Sequence, residues 1–225
     1  MGQAIGQILP TAVGVAISPL PIVAVVLMLV TPRGKRNGPA FIVGWLAGLA
    51  AVGIVVIAAS GGAGASDDAA PATWVSWLKL VLGALCLLVA ARQWRGRPAD
   101  GEEPATPKWM GALDRFTPIR AAGAGIVLSA ANPKNLVLAV AGAVAVAGAG
   151  VSTSQEAIAW IVFMLIASAG VAAPVIIAFA MGDRSRELLD RLKTRMTHNN
   201  AVIMAVLLVV IGAKLIGDGI TGLSG

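Results

Sequence analysis

Six apolar segments separated by polar stretches account for most of this 225-residue chain. They cover residues 5–30, 39–59, 73–91, 119–147, 157–181 and 201–220. Each is close to or beyond the roughly 20 residues that a helix needs to cross the apolar core of a bilayer. The pattern predicts an all-α integral membrane protein with six transmembrane helices. The third intervening stretch, residues 92–115, is long, polar and rich in Pro and Gly, and residues 96–107 within it read as a flexible loop. In the fifth, Leu188, Leu189, Leu192 and Met196 recur at helical spacing among Arg184, Arg186, Asp190, Arg191 and Arg195. That spacing fits an amphipathic helix lying on the membrane surface, or equally an extension of a spanning helix into water.

Two of the six segments are broken near their middles. The first contains Ser18-Pro19-Leu20-Pro21 and the fourth contains Asn132-Pro133-Lys134. Proline removes a backbone donor and clashes with the carbonyl four residues before it. The rule predicts freed carbonyls at Val15, Ile17 and Ser129. Such groups need a partner inside a membrane, and paired interrupted spans are a pointer to a transporter's binding site. A shift of 114 residues lays Pro19 on Pro133. Each half then reads as one broken span and two ordinary ones, which predicts two inverted three-helix repeats. Residues 1–92 form the first, 93–118 a cytoplasmic linker and 119–225 the second. Small residues, Gly44 and Gly48 on the second segment and Ala139, Ala141, Gly142, Ala143 and Ala145 on the fourth, predict close helix approach. Pro174 predicts a kink in the fifth.

Charge sets the orientation. Fourteen of the seventeen Lys and Arg residues fall in or beside the first, third and fifth loops, whereas the second and fourth carry only Asp67, Asp68 and Glu156. The positive-inside rule then puts the odd loops in the cytoplasm and both termini outside, as in a multi-pass protein of the bacterial inner membrane. Trp74 and Trp77 are expected at the outer end of the third span, Trp94 at its inner end and Trp160 at the outer part of the fifth.

The other three cations, Lys79, Lys134 and Lys214, lie within apolar segments. Lys79 and Lys214 are near outer ends, from which their amines can snorkel to the headgroups. Lys134 lies about 15 residues from Ile119, roughly 22 Å along a straight helix, and its side chain cannot cover that distance. If residues 119–131 were instead a re-entrant segment, Lys134 would still stand beside a break inside the membrane. An ionisable residue there is a functional candidate by default. The candidate substrate-binding set is Ser18, Pro19, Pro21, Ser129, Asn132, Pro133, Lys134 and Asn135, with Lys79 and Lys214 as secondary candidates.

Composition narrows the chemistry. The chain is 57% hydrophobic and 12% charged, with a net charge of +6 and a mean hydropathy of +0.84. The distribution of the basic residues accounts for that charge without nucleic acid. Cys86 is the only cysteine and His198 the only histidine, and no HExxH, Walker or Rossmann pattern is present. The chain is therefore expected to be no enzyme and to use no metal or cofactor. Among the acidic residues only Asp218 is a candidate for proton coupling, and it lies near an outer end.

Six spans in two halves, Pro19-Leu20-Pro21 in the first and Asn132-Pro133-Lys134 in the fourth resemble the LysE superfamily of exporters. Its amino-acid exporters carry Pro-Gly-Pro and Asn-Pro-Lys at these places, and Leu20 stands where they have glycine, which turns the reading away from amino acids. The metal-exporting and thiol-redox relatives use intramembrane carboxylates or paired cysteines, which this sequence does not offer. The long charged central loop and the Ala-, Gly- and Val-rich text look closer to the actinobacterial Gap-like branch, the sulfolipid-addressing proteins. The resemblance implies movement of glycolipids or peptidoglycolipids toward the cell surface.

The expected function is export of a lipid-like or amphiphilic molecule with a polar or anionic headgroup, through a site between spans one and four. The alternatives are a small-solute exporter and a non-transporting scaffold for lipid assembly. A lateral opening to lipid favours the first reading, a closed aqueous cavity the second and a packed midplane the third. Expected partners are membrane lipids, the substrate, and either a second copy of the chain or lipid-assembly proteins.

Overall fold

The structure is a computed structural model that describes residues 2–61, 73–96, 116–198 and 200–224. All regular structure among them is helical. In chain order the helices are α1 (Gly2–Ala16), α2 (Pro19–Leu29), α3 (Gly34–Gly61), α4 (Thr73–Arg95), α5 (Pro118–Ile126), α6 (Pro133–Ala147), α7 (Thr153–Met181), α8 (Ser185–His198) and α9 (Asn200–Ser224). A π-helical turn, Val127–Ala131, follows α5, and a 3₁₀ turn, Gly182–Arg184, precedes α8.

Four stretches are long and apolar enough to cross a membrane: Gly34–Ser60, Ser76–Arg95, Thr153–Met181 and Ala201–Leu223. Two further pairs are bent, Ala4–Ala16 with Pro19–Leu29 by 49° and Pro118–Ala131 with Pro133–Ala147 by 63°. Among the described residues there are thus four candidate spanning helices, or up to six if each bent pair is one span. Its outer surface agrees with an apolar solvent. Val43, Ile54, Val55, Leu88, Leu165 and Ile176 are each more than 60% exposed, an apolar display that a soluble monomer rarely carries.

The prolines act as helix starters. Ser18 is extended and Pro19 opens α2; Thr117 caps α5 and Pro118 opens it; Asn132 is extended and Pro133 opens α6. Proline suits the first helical position because its missing N–H would have no intrahelical partner there. The bends therefore fall where the sequence places Ser-Pro and Asn-Pro. Pro174 lies within the continuous helix α7.

Close packing brings non-neighbouring elements together. α3 lies against α5, α7 against α1, α4 against α9, and α6 against α1 and α3. Two glycines set the closest approaches. A Cβ on Gly44 would stand 1.9 Å from the Ala122 carbonyl oxygen, and one on Gly170 would stand 1.8 Å from that of Ala16. Only glycine lets backbone meet backbone at these crossings. α6 is apolar nearly all round and is correspondingly buried at ten of its fifteen positions.

Several local expectations change. The first basic turn is partly helix, since α3 begins at Gly34, and Asn37 is buried with its Nδ2 donating to the Phe116 carbonyl at 3.0 Å. Trp160 is not an interface marker. It is 5% exposed, stacked on Phe163 and seated in the slot left by Gly53. Trp77 and Trp94, at opposite ends of α4, are about half exposed, as anchors would be. The Trp74 side chain and the loops at 62–72 and 97–115 lie outside the described residues. The segment after α7 forms its own helix, α8, with Leu189 buried and packed toward α2, which favours the surface-helix reading.

Candidate functional site

The two breaks free backbone acceptors that the proline rule alone does not select, and one that it does select, the Val15 carbonyl, is paired. At the first break the Ser18 N–H bonds to the Val15 carbonyl at 3.1 Å, a tightened three-residue closure. Val15 is thereby satisfied, and the Gly14 carbonyl, which a regular helix would have paired with Ser18, is released. At the second break the Asn132 N–H reaches five residues back to Val127 at 2.9 Å. That π-type closure releases the carbonyl of Leu128. π-Bulges of this kind recur at functional sites.

Side chains of α6 take both released carbonyls. Lys134 Nζ donates to the Gly14 oxygen at 2.8 Å, across 120 residues of sequence. Asn135 Nδ2 donates to the Leu128 oxygen at 2.8 Å. Lys134 is 6% exposed and Asn135 is fully buried. Among the described residues no carboxylate pairs with Lys134, and Asn135 Oδ1 is buried without a partner. Asn132 Oδ1 accepts from the Lys134 N–H at 3.1 Å, capping α6. The Asn132 carbonyl accepts from Leu136 at 2.8 Å, the first regular bond of that helix. Ser129 is fully buried and donates its hydroxyl to the Ile126 carbonyl at 3.1 Å.

The sequence-derived set is therefore split. Ser129, Asn132, Pro133, Lys134 and Asn135 cluster at the second break, and the lysine crosses to the first span. Ser18, Pro19 and Pro21 are buried at the first break, where the Ser18 side chain makes no capping bond. Lys79 and Lys214 stand apart from both breaks, on α4 and α9. Lys79 is half-buried. Lys214 does not snorkel alone: it pairs with Asp218 one helical turn on, at 2.6 Å. Half-exposed i,i+4 pairs contribute little, about 0.3–0.5 kcal/mol.

Beside the breaks runs a groove of about 250 Å³ between α2 and α5. Leu20, Ala24 and Met28 form one wall and Phe116, Val127 and Leu128 the other. All its lining residues are apolar, and Val127 at its edge is 56% exposed. Its volume falls below the roughly 300–1,000 Å³ of a drug-sized pocket. It suits a segment of hydrocarbon chain.

Gly14 and the groove residues escaped the sequence reading. Gly14 had a signal, being four residues before the first non-helical position, but it lies outside the proline rule. The groove had none, because its walls come from segments about a hundred residues apart.

These features define an all-helical integral membrane protein in which two broken helices are joined at a buried lysine. The chain matches the family described as Sap, sulfolipid-1-addressing protein, over residues 8–221 and belongs to that family. No curated protein and no solved structure matches it significantly.

Proposed function

We propose that the protein exports a lipid-like or amphiphilic substrate with a polar or anionic headgroup, and that the joint between the two broken spans is its binding site. The carrying observation is the Lys134–Gly14 tether, which closes one broken helix onto the other next to an apolar groove. A protonated Lys134 offers a headgroup a cation in a low-dielectric setting, where attraction to an anion is strong. The N-terminus of α6, at Pro133 and Lys134, adds the partial positive charge of a helix start. The groove, open toward lipid along Val127, gives an acyl chain a place without dragging it through water. In this mechanism an anionic headgroup displaces the Gly14 carbonyl from Lys134, and the breaks at Ser18 and Asn132 act as hinges.

The packing supports the inverted-repeat architecture as part of this reading. Exchanging the halves maps α1 on α5, α3 on α7 and α4 on α9. It exchanges the α3–α5 contact with the α7–α1 contact and leaves the α4–α9 contact in place. Each exchanged crossing has its own glycine, Gly44 and Gly170. This arrangement, with Pro-led breaks at the midplane, resembles that of the LysE exporters. The family's name refers to the addressing of a lipid, sulfolipid-1, which supports a lipid-like substrate over an amino acid. A second reading, a scaffold that moves nothing, draws on the fact that the lysine is already satisfied by a carbonyl.

Comparison of surface lipids from cells with and without the protein tests the proposal. One polar lipid class is expected to fall at the surface and accumulate inside when the protein is absent. Unchanged distribution of every class, with the protein present in the membrane of the parent strain, rejects lipid export.

Orientation is tested separately. With the odd loops cytoplasmic, a cysteine at Ser152, which is exposed between α6 and α7, reacts with an impermeant reagent in intact cells. One at exposed Arg36 stays protected until the membrane is opened. Native Cys86 is 1% exposed and stays silent. The reverse pattern would invert the topology.

A further inference from the structure

A second cavity, of about 480 Å³, lies at the basic end of the bundle, apart from the joint between the broken spans. Its walls come from the end of α2, the turn into α3, the end of α7 and the first turn of α8. Its polar side carries Lys35 and Arg186 beside Thr31 and Ser185, and its apolar side includes Leu29 and Phe179. The volume falls within the roughly 300–1,000 Å³ of small-molecule sites.

We propose that this cavity binds the anionic headgroup of a membrane phospholipid. Two observations carry the assignment. Both lining cations are exposed residues set on different elements, so a ligand in the cavity meets one from α3 and one from α8. The cavity also sits where α2 and α7 end, and its apolar wall reaches the outer surface at Phe179, which is 54% exposed. A free anion needs only the first wall. An amphiphile at the membrane surface uses both, with its phosphate on the cations and its glycerol and upper acyl carbons on Phe179. Basic pockets between spanning helices hold lipid headgroups in this way. The start of α8, a fourteen-residue helix, adds partial positive charge at Ser185 and Arg186, which the partial negative charge at the ends of α2 and α7 offsets, so the attraction for an anion comes from the side chains. The hydroxyls of Thr31 and Ser185 already donate to the carbonyls of Met28 and Gly182, so recognition rests on the two cations and backbone amides.

The site does not depend on the export reading, and its test needs no transport. Protein purified in detergent is titrated with dioctanoyl phosphatidic acid, dioctanoyl phosphatidylcholine and inorganic phosphate, with binding read by thermal stabilisation and native mass spectrometry. Phosphatidic acid is expected to bind, with the other two at least about tenfold weaker. The pair Lys35→Gln and Arg186→Gln should weaken phosphatidic acid about tenfold or more. Lys35→Gln alone should give an intermediate loss while leaving the contacts of Arg186 in place. Arg33→Gln with Arg36→Gln removes the same charge from exposed positions outside the cavity and should change nothing. Equal loss in that control would reduce the effect to diffuse surface charge. Undiminished binding in the Lys35 and Arg186 variants, or inorganic phosphate binding as tightly as the lipid, would overturn the proposal. Lys134→Ala should retain full binding, which keeps this outcome distinct from the fate of the export site.

Discussion

Lys134→Ala is expected to abolish export while the protein still inserts into the membrane. The substitution removes the bond to the Gly14 carbonyl and leaves that oxygen bare in the interior. An unsatisfied buried acceptor costs about 1–3 kcal/mol, against a typical total of about 5–15 kcal/mol, so the fold should survive. The headgroup, in the proposed mechanism, loses its only full charge at the joint. Lys134→Met keeps most of the side-chain volume without a donor and should fail to export as well, separating charge from packing. Lys134→Arg should restore part of the activity. Guanidinium is larger and planar and carries its donors in a rigid fork, whereas Gly14 presents one carbonyl. Asn132→Ala removes the α6 cap, worth about 1 kcal/mol, and should also block export by loosening the helix start at Lys134. The readout is surface lipid at matched protein level. Near-normal export by Lys134→Ala would make the lysine a structural tether and remove this joint from the mechanism.

Gly170→Ala should have the largest effect on stability. Its new Cβ would lie 1.8 Å from the Ala16 oxygen and 2.9 Å from the Ala16 carbonyl carbon, so no side-chain rotation can relieve the contact. α7 must back away from α1 along their crossing. Overpacking of this kind costs about 1–3 kcal/mol and occasionally more. Ala16 ends α1 immediately before the first break, so the displacement reaches the site as well. The apparent melting temperature in detergent should fall by about 5 °C or more. Gly44→Ala, which would press on the Ala122 oxygen from 1.9 Å, should behave alike. Gly217→Ala serves as the control. Nothing lies within 4 Å of its would-be Cβ, and alanine in a helix interior is favoured over glycine by about 0.5–1 kcal/mol. A Gly170→Ala protein as stable as the parent would mean that the α1–α7 crossing is looser than described.

Much of the site was legible because its signals are local. Pro19 and Pro133 mark the breaks through sterics that act on the residue before them and on the turn behind them. Lys134 stands out because a cation so far from a span's end has no route to water. The basic loops follow from charge counts alone. One misassignment was also local. Trp160 has the look of an interface anchor, but Gly53, more than a hundred residues away, provides a slot that buries it. Lys214, read as snorkelling, reaches toward the end of its span, where Asp218 on the same helical face pairs with it.

The sequence by itself determined that this is a helical membrane protein, where its apolar segments lie, and where two of them break. These properties depend on length, apolar content and the stereochemistry of proline, all of which act within a few residues. Tertiary structure alone decided that Lys134 would find Gly14, that Asn135 would find Leu128, and that α2 and α5 would leave an apolar groove between them. Each break has a choice of which carbonyl to release, and the tighter turn at Ser18 and the wider one at Asn132 settle that choice. Which donor then arrives depends on how closely the helices cross, and the glycines at 44 and 170 set that distance only once both helices are in place.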